Sequence, residues 1–360
     1  STTFPTIKNI ENVYLNATTG GFDASAIAGV TSIEADTVTA QTFTVTTGQK
    51  LGLTNIAAAQ TITVAGNTPT ALDLTLNKVG TPVAFATVAL TGTSVATANV
   101  TATGANSNIQ LTNAGGKLAT LNVAGDKLLK VTSALTTLTA IDASANTGGV
   151  NVDAVGASNL TFTGGSGNDR LNLLGTLTAA DKADGGAGTD TLAIDTGATL
   201  TKLAAANIKG FEVLEATGTA AGTLDVDAVI ANNALTGIVS SATTSATVNN
   251  INAAAVGNIS VTQANTTGLT FTAKDFVAGG TSDAATIKLD NSVTKSATGI
   301  DVGTSLSFVN ADVITFNSLS DGTDAKTIAS TNGNSVAALA ASDLEKIVVT
   351  GNETFTLSTA

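Results

Sequence analysis

The sequence predicts an all-β chain wound as a β-solenoid, a β-helix-like stack of short coils with a few short capping helices. Three observations carry the prediction. Short segments that alternate apolar and polar residues recur at steps of nine to twelve residues. Gly, Asn and Asp-Ala turns separate them. Aromatic residues make up 3% of the chain, which is sparse for the core of an antiparallel sandwich, the other fold with strands at this interval.

One apolar residue marks each strand of the ladder. A first run goes Ile33, Phe43, Leu53, Ile62. A second goes Val100, Leu111, Leu121, Val131, Ile141, Val152, Phe162, Leu171. A third goes Ile238, Val248, Ile259, Phe271. Segments such as Leu160-Thr161-Phe162-Thr163 and Asn258-Ile259-Ser260-Val261 are rich in branched side chains, which pack well on a pleated surface. Their alternation buries one face and wets the other. A repeated unit, strand then Gly-Asn or Gly-Asp, occurs at Ile62–Asn67, Leu121–Asp126 and Val348–Asn352, and Ile7–Val13 resembles its strand half.

Helical spacing is scarce. Thr199 to Phe211 sets Leu200, Leu203 and Ile208 on one face, with Thr199 as N-cap. Ser335 to Ile347 does the same with Val336, Leu339, Ala340 and Leu344. Both are expected to be helices that cap or cover the solenoid and run straight into strands. The ladder breaks near 196–222. The expected division is therefore a solenoid-like domain 1–162, a Gly/Asp-rich segment with a short helix 163–220, and a second β-rich domain 221–360.

Composition excludes much. The chain has no Cys and no His, which removes disulfides, thiolate chemistry and most acid–base and metal-catalytic designs. Fifteen basic against 27 acidic residues give a net charge of −12. Nucleic-acid binding, which needs clustered Lys and Arg, is not expected. No apolar run reaches the ~18–20 residues that span a bilayer, so the chain is not expected to cross one. No basic region followed by an apolar stretch opens it, so an export signal is expected outside this segment or of another type. Lacking an initiator Met, the chain reads as a fragment or processed product.

Two copies of one nonapeptide stand 21 residues apart: Gly164-Gly165-Ser166-Gly167-Asn168-Asp169-Arg170-Leu171-Asn172 and Gly185-Gly186-Ala187-Gly188-Thr189-Asp190-Thr191-Leu192-Ala193. Both read G-G-x-G-x-D-x-U-x. Glycines permit a tight turn lined by carbonyls, and the Asp adds a carboxylate. Such an oxygen set suits a hard cation, Ca²⁺ foremost. A plain Gly-rich turn is the bland reading of either copy alone. No Gly-Lys-Ser/Thr follows, so phosphate binding is not indicated. Asp321-Gly322-Thr323-Asp324 with Asp312 is a second, weaker candidate. Asp225 and Asp227, expected on a strand, and Asp142 and Asp153, at strand ends, are explained by turn hydrogen bonds.

The order FTGGSGNDRLNL, GGAGTDTLAID, a Leu-rich stretch and FEVLEATG, from Phe162 to Gly218, resembles RTX-type bacterial surface-layer (S-layer) proteins. The Thr/Ala/Val/Asn-rich ladder is similar too, with Phe22-Asp23-Ala24-Ser25-Ala26 and Ile141-Asp142-Ala143-Ser144. Same-edge loops of a β-roll lie about 18 residues apart; here three extra residues fit within Leu173 to Asp184. The resemblance implies one Ca²⁺ between the two turns. The carbonyls of Gly164, Ser166, Gly186 and Gly188 and the carboxylates of Asp169 and Asp190 would hold it, with Asn168 beside them and Asp181 and Asp184 adding negative charge. It also implies a secreted, extracellular structural protein at the cell surface. Such a protein self-assembles into a two-dimensional lattice with Ca²⁺ and is anchored on lipopolysaccharide through regions outside this segment. The dense nonapeptide arrays and C-terminal secretion signal of that family are missing, which leaves an RTX adhesin or other secreted binding module as the alternative. Tyr14 is the one Tyr and there is no Trp, which disfavours a sugar site. No carboxylate pair stands out for polysaccharide cleavage, so enzymatic activity is not expected.

Overall fold

The computed structural model describes residues 9–65, 69–133, 135–154, 159–173, 177–197, 204–218, 220–230, 232–279, 282–291, 299–320 and 333–359. The chain divides into two compact units. Unit 1 comprises residues 1–172 and 180–190, and unit 2 comprises 173–179 and 191–360. Each is a β-solenoid of stacked parallel coils.

In unit 1 successive strands alternate between two parallel sheets. One runs from Asn12–Asn16 to Lys182–Asp184, the other from Gly20–Asp23 to Arg170–Asn172. Parallel pairing lets each residue type stack on its own kind, one coil above the next, about 4.8 Å away. Inward columns are apolar: Leu121 pairs with Ile141, Ile141 with Phe162, and Phe162 with Ala183. Outward columns are polar. The Asn99 amide donates to Asp73 Oδ1 at 2.7 Å, and the Asn122 amide to Asn99 Oδ1 at 2.8 Å. These amides zip neighbouring strands on the wet face.

Unit 2 repeats the plan. One sheet runs from Thr191–Asp195 through Ile259–Val261 to Lys346–Gly351. The facing one holds Gly222–Asp225, Ala246–Ile251, Leu269–Ala273, Leu306–Val309 and Asn334–Ala340. Its core is more aromatic. Phe271 and Phe276 lie against Phe308 at ring distances of 6.1 and 5.6 Å, and Phe316 stacks on Phe355 at 4.8 Å.

Every residue that marks the ladder in the sequence is 0 or 1% exposed. Period-two alternation therefore located the core. The corners are set by backbone conformations that the sequence does not announce. Ala17, Thr37, Asn55 and Lys78 all have left-handed backbones, with φ between 49° and 58°. They stand at the same corner of successive coils. Ala17 N donates to Asp36 O, Thr37 N to Thr54 O and Asn55 N to Asn77 O, each at 3.0 Å.

Two helix expectations are corrected. Asn334–Ala340 is a strand. The three-residue step from Val336 to Leu339 looks helical, but this strand changes partner along its length. Val336 pairs with Val302, and Leu339 with Leu306 of the following strand, so the alternation slips between them. Of the helix expected over Thr199 to Phe211, Thr199 to Leu203 lie outside the described residues. Ala204–Asn207 forms one 3-10 turn, followed at once by the strand Ile208–Lys209. Phe211 is core, which a strand-side position explains as well as a helix would. Asp227 opens the four-residue helix Asp227–Ile230 rather than lying on a strand, whereas Asp225 does end one. Among the described residues no helix is long and apolar enough to cross a membrane.

Candidate metal centre

The two nonapeptide turns belong to unit 1 and stack directly on each other. Ala187 N donates to Gly165 O at 2.9 Å, and Thr189 N to Asn168 Oδ1 at 2.9 Å. The segment between them supplies the strand Lys182–Asp184, which pairs with Thr161–Thr163 and so completes the coil. The resemblance places the extra residues in Leu173 to Asp184, of which 174–176 lie outside the described residues.

Glycine is required by contact as well as by torsion. Gly186 and Gly188 have φ of 96° and 137°, where L side chains are strained. A Cβ on Gly186 would lie 2.3 Å from Gly165 O, and one on Gly164 would lie 1.9 Å from Gly185 O. The pattern is thus a template for pressing backbone carbonyls of one turn against the next.

Both Asp side chains are buried, Asp169 at 1% and Asp190 at 0% exposure. Asp169 Oδ1 accepts Val150 N of the coil before at 2.6 Å, and its Oδ2 accepts Gly165 N at 2.7 Å. Asp190 Oδ1 accepts Asp169 N at 2.7 Å. The carboxylates therefore form a relay, 190 to 169 to 150, along one corner. Among the described residues Asp169 has no ion-pair partner. Burial raises its pKa above the ordinary carboxylate range despite the two backbone N–H groups that lower it. Arg170, the single arginine, turns outward to Asp153 Oδ1 at 2.9 Å and Asn151 Oδ1 at 3.3 Å.

The remaining predicted residues divide. Among the described residues the carbonyls of Gly164, Ser166, Gly186 and Gly188 accept no hydrogen bond, whereas that of Gly165 does. Asn168 is exposed and its Oδ1 serves Thr189 N. Asp184 is half-buried at a strand end, with Oδ1 3.3 Å from Gly186 N. Asp181 sits at another corner, where Oδ1 accepts Leu160 N at 2.7 Å. Asp321 to Asp324 lie outside the described residues, and Asp312 caps Asp283 N at 2.9 Å.

These residues fit a hard cation. The donors are all oxygens, two of them anionic, buried and one coil apart. Four more are carbonyls that accept no hydrogen bond among the described residues. Among the described residues no three His, Cys, Asp or Glu converge, so a softer, side-chain-only metal site is not formed. Ca²⁺ takes about six to eight oxygens and accepts carbonyls readily. In this place it would supply positive charge beside Asp169, which has no ion-pair partner among the described residues.

The residue missed in the sequence is Asn146, one coil before the first turn. It is 0% exposed, and its carbonyl accepts Ser166 N at 3.1 Å. The signal was Asn146-Thr147-Gly148-Gly149, a Gly-Gly turn whose glycines lie against Gly167 and Asn168 of the next coil. Comparison of the sequence with models of known protein families returns no match, and comparison with curated proteins returns none either.

Proposed function

We propose that the chain is a structural segment of a secreted bacterial cell-surface protein of the S-layer type, a lattice-forming wall stabilised and assembled by Ca²⁺. The observation that carries this reading is the pair of stacked GGxGxD turns with two buried, in-register carboxylates. A parallel solenoid offers long rigid faces of Thr, Asn and Ser with little charge, as a repetitive wall element requires. An acidic chain of net charge −12 repels its copies at low ionic strength, and divalent cations relieve that repulsion. Attachment to lipopolysaccharide is assigned to regions outside this segment.

The test is a calcium titration followed by native mass spectrometry, then by light scattering. Uptake of a discrete Ca²⁺ at millimolar or lower concentration, with growth of ordered assemblies once flanking regions are restored, is the expected result. A chain that takes up no ion removes the calcium reading. One that binds the ion yet stays monomeric with its flanks in place removes the lattice and leaves a monomeric binding module.

A further inference from the structure

Among the described residues five other coil corners are closed by buried amides. In unit 1, Gln49 Nε2 donates to Ala24 O at 3.1 Å and Val30 O at 3.0 Å, while its Oε1 accepts Thr46 N at 2.9 Å. Asn146 Nδ2 donates to Ala124 O and Lys127 O at 3.4 and 3.3 Å, and its Oδ1 accepts Gly148 N and Gly149 N at 3.0 and 2.7 Å. In unit 2, Asn233, Asn265 and Asn334 do the same. Asn265 Nδ2, for example, reaches Ala242 O at 2.9 Å and Thr244 O at 2.6 Å, with Oδ1 on Thr267 N and Gly268 N. Asn233 bridges Ile208 O, Val229 O and Phe211 N, and Asn334 bridges Leu289 O and Ile300 N. Exposure of the five runs from 0 to 8%.

An amide is suited to this place because it carries both signs. Its NH₂ satisfies carbonyls of a neighbouring coil or of its own, and its oxygen takes the N–H groups of its own turn or of a neighbouring coil. The two GGxGxD turns break this rule. Gly165 stacks on Asn146, since its Cβ would lie 1.9 Å from Asn146 O, and Gly186 stacks on Gly165 in turn. The oxygen function passes to Asp169, whose carboxylate brings no NH₂ with it. A carboxylate only accepts.

From this we infer that Ca²⁺ performs at residues 164–190 the donor role that a buried amide performs at the five corners above, so that calcium dependence is local. The coils from Val150 to Asp190 need the ion, and those closed by Gln49, Asn146, Asn233, Asn265 and Asn334 hold without it. This rests on the calcium reading above and adds to it where the ion acts and where it does not. Withdrawal of calcium would then loosen one stretch of unit 1 while the coils on Asn146's side stay wound.

Hydrogen–deuterium exchange on the full chain, in Ca²⁺ and in a chelator, tests this with native mass spectrometry run in parallel. Protection at Val150–Ala154, Thr161–Thr163 and Arg170–Asn172 is expected to fall at least about tenfold on chelation. Protection at Thr97–Ala102 and Leu129–Ser133 stays within about twofold. Asn146→Asp, which removes the NH₂ from the next corner, should extend the chelator-sensitive region to Leu129–Ser133. Ion uptake accompanied by uniform loss of protection across unit 1, or by none at all, overturns local dependence while leaving calcium binding intact. Asn146→Asp exchanging like wild type in chelator also overturns it. Absence of ion uptake overturns both readings.

Discussion

Replacing both Asp169 and Asp190 with Ala separates an ion site from a pair of ordinary turn caps. Truncation at 169 leaves Val150 N and Gly165 N without their acceptor, and truncation at 190 does the same to Asp169 N. An unsatisfied buried N–H costs about 1–3 kcal/mol. Removal of two buried charges offsets part of that, so the calcium-free variant should be less stable than calcium-free wild type by about 2–5 kcal/mol. The calcium term is distinct. A single site at one hundred times its dissociation constant contributes about 2.7 kcal/mol, worth roughly 5–10 °C in melting temperature for a unit of this size. Differential scanning calorimetry of both proteins, with millimolar Ca²⁺ and with chelator, reads the two effects independently. Wild type should gain the calcium increment in the transition of unit 1 and the variant should not. If both proteins melt at the same temperature with and without calcium, the carboxylates are caps only and the ion site is wrong.

The raised pKa of Asp169 fixes a sign. A folded-state pKa above the unfolded one favours the protonated form, so this group's contribution is fully present below the ordinary carboxylate value of about 3.9 and is lost as pH rises through the elevated folded value. Chelated protein should therefore lose stability over that window, Asp169→Asn should flatten the loss, and Ca²⁺, which favours the carboxylate, should oppose it; urea denaturation across acid pH checks all three. Phe162→Ala empties a core position 1% exposed beneath Ala183, and should cost about 3–5 kcal/mol by denaturant unfolding. Thr37 holds a left-handed backbone with a branched side chain. Relief of that strain outweighs the flexibility glycine adds to the unfolded chain, so Thr37→Gly should stabilise by about 0.5–1 kcal/mol, seen as a raised melting temperature.

Much of the fold was legible because a parallel solenoid is nearly one-dimensional. Each coil contacts its neighbours in sequence order, so period-two alternation and a ten-residue beat suffice to place Ile33, Val100, Phe162 or Phe271 in the core. The nonapeptides were legible for a related reason: turn positions pressed against the next turn, such as Gly186 and Gly164, leave no room for a Cβ, and that writes itself into the sequence as glycine. Val336 and Leu339 show the limit. Their spacing suits a helix in isolation, and only the change of partner strand explains it as sheet.

The sequence by itself determined the fold class, the core columns and the two acidic turns, since these follow from side-chain size, alternation and backbone torsion within short windows. The tertiary structure decided what those turns rest on. Asn146, Gly165 and Gly186 come from three coils, and nothing local in the chain says that they stack in one corner. Their stacking sets an amide that both donates and accepts beneath carboxylates that only accept, and that difference is a property of register between coils.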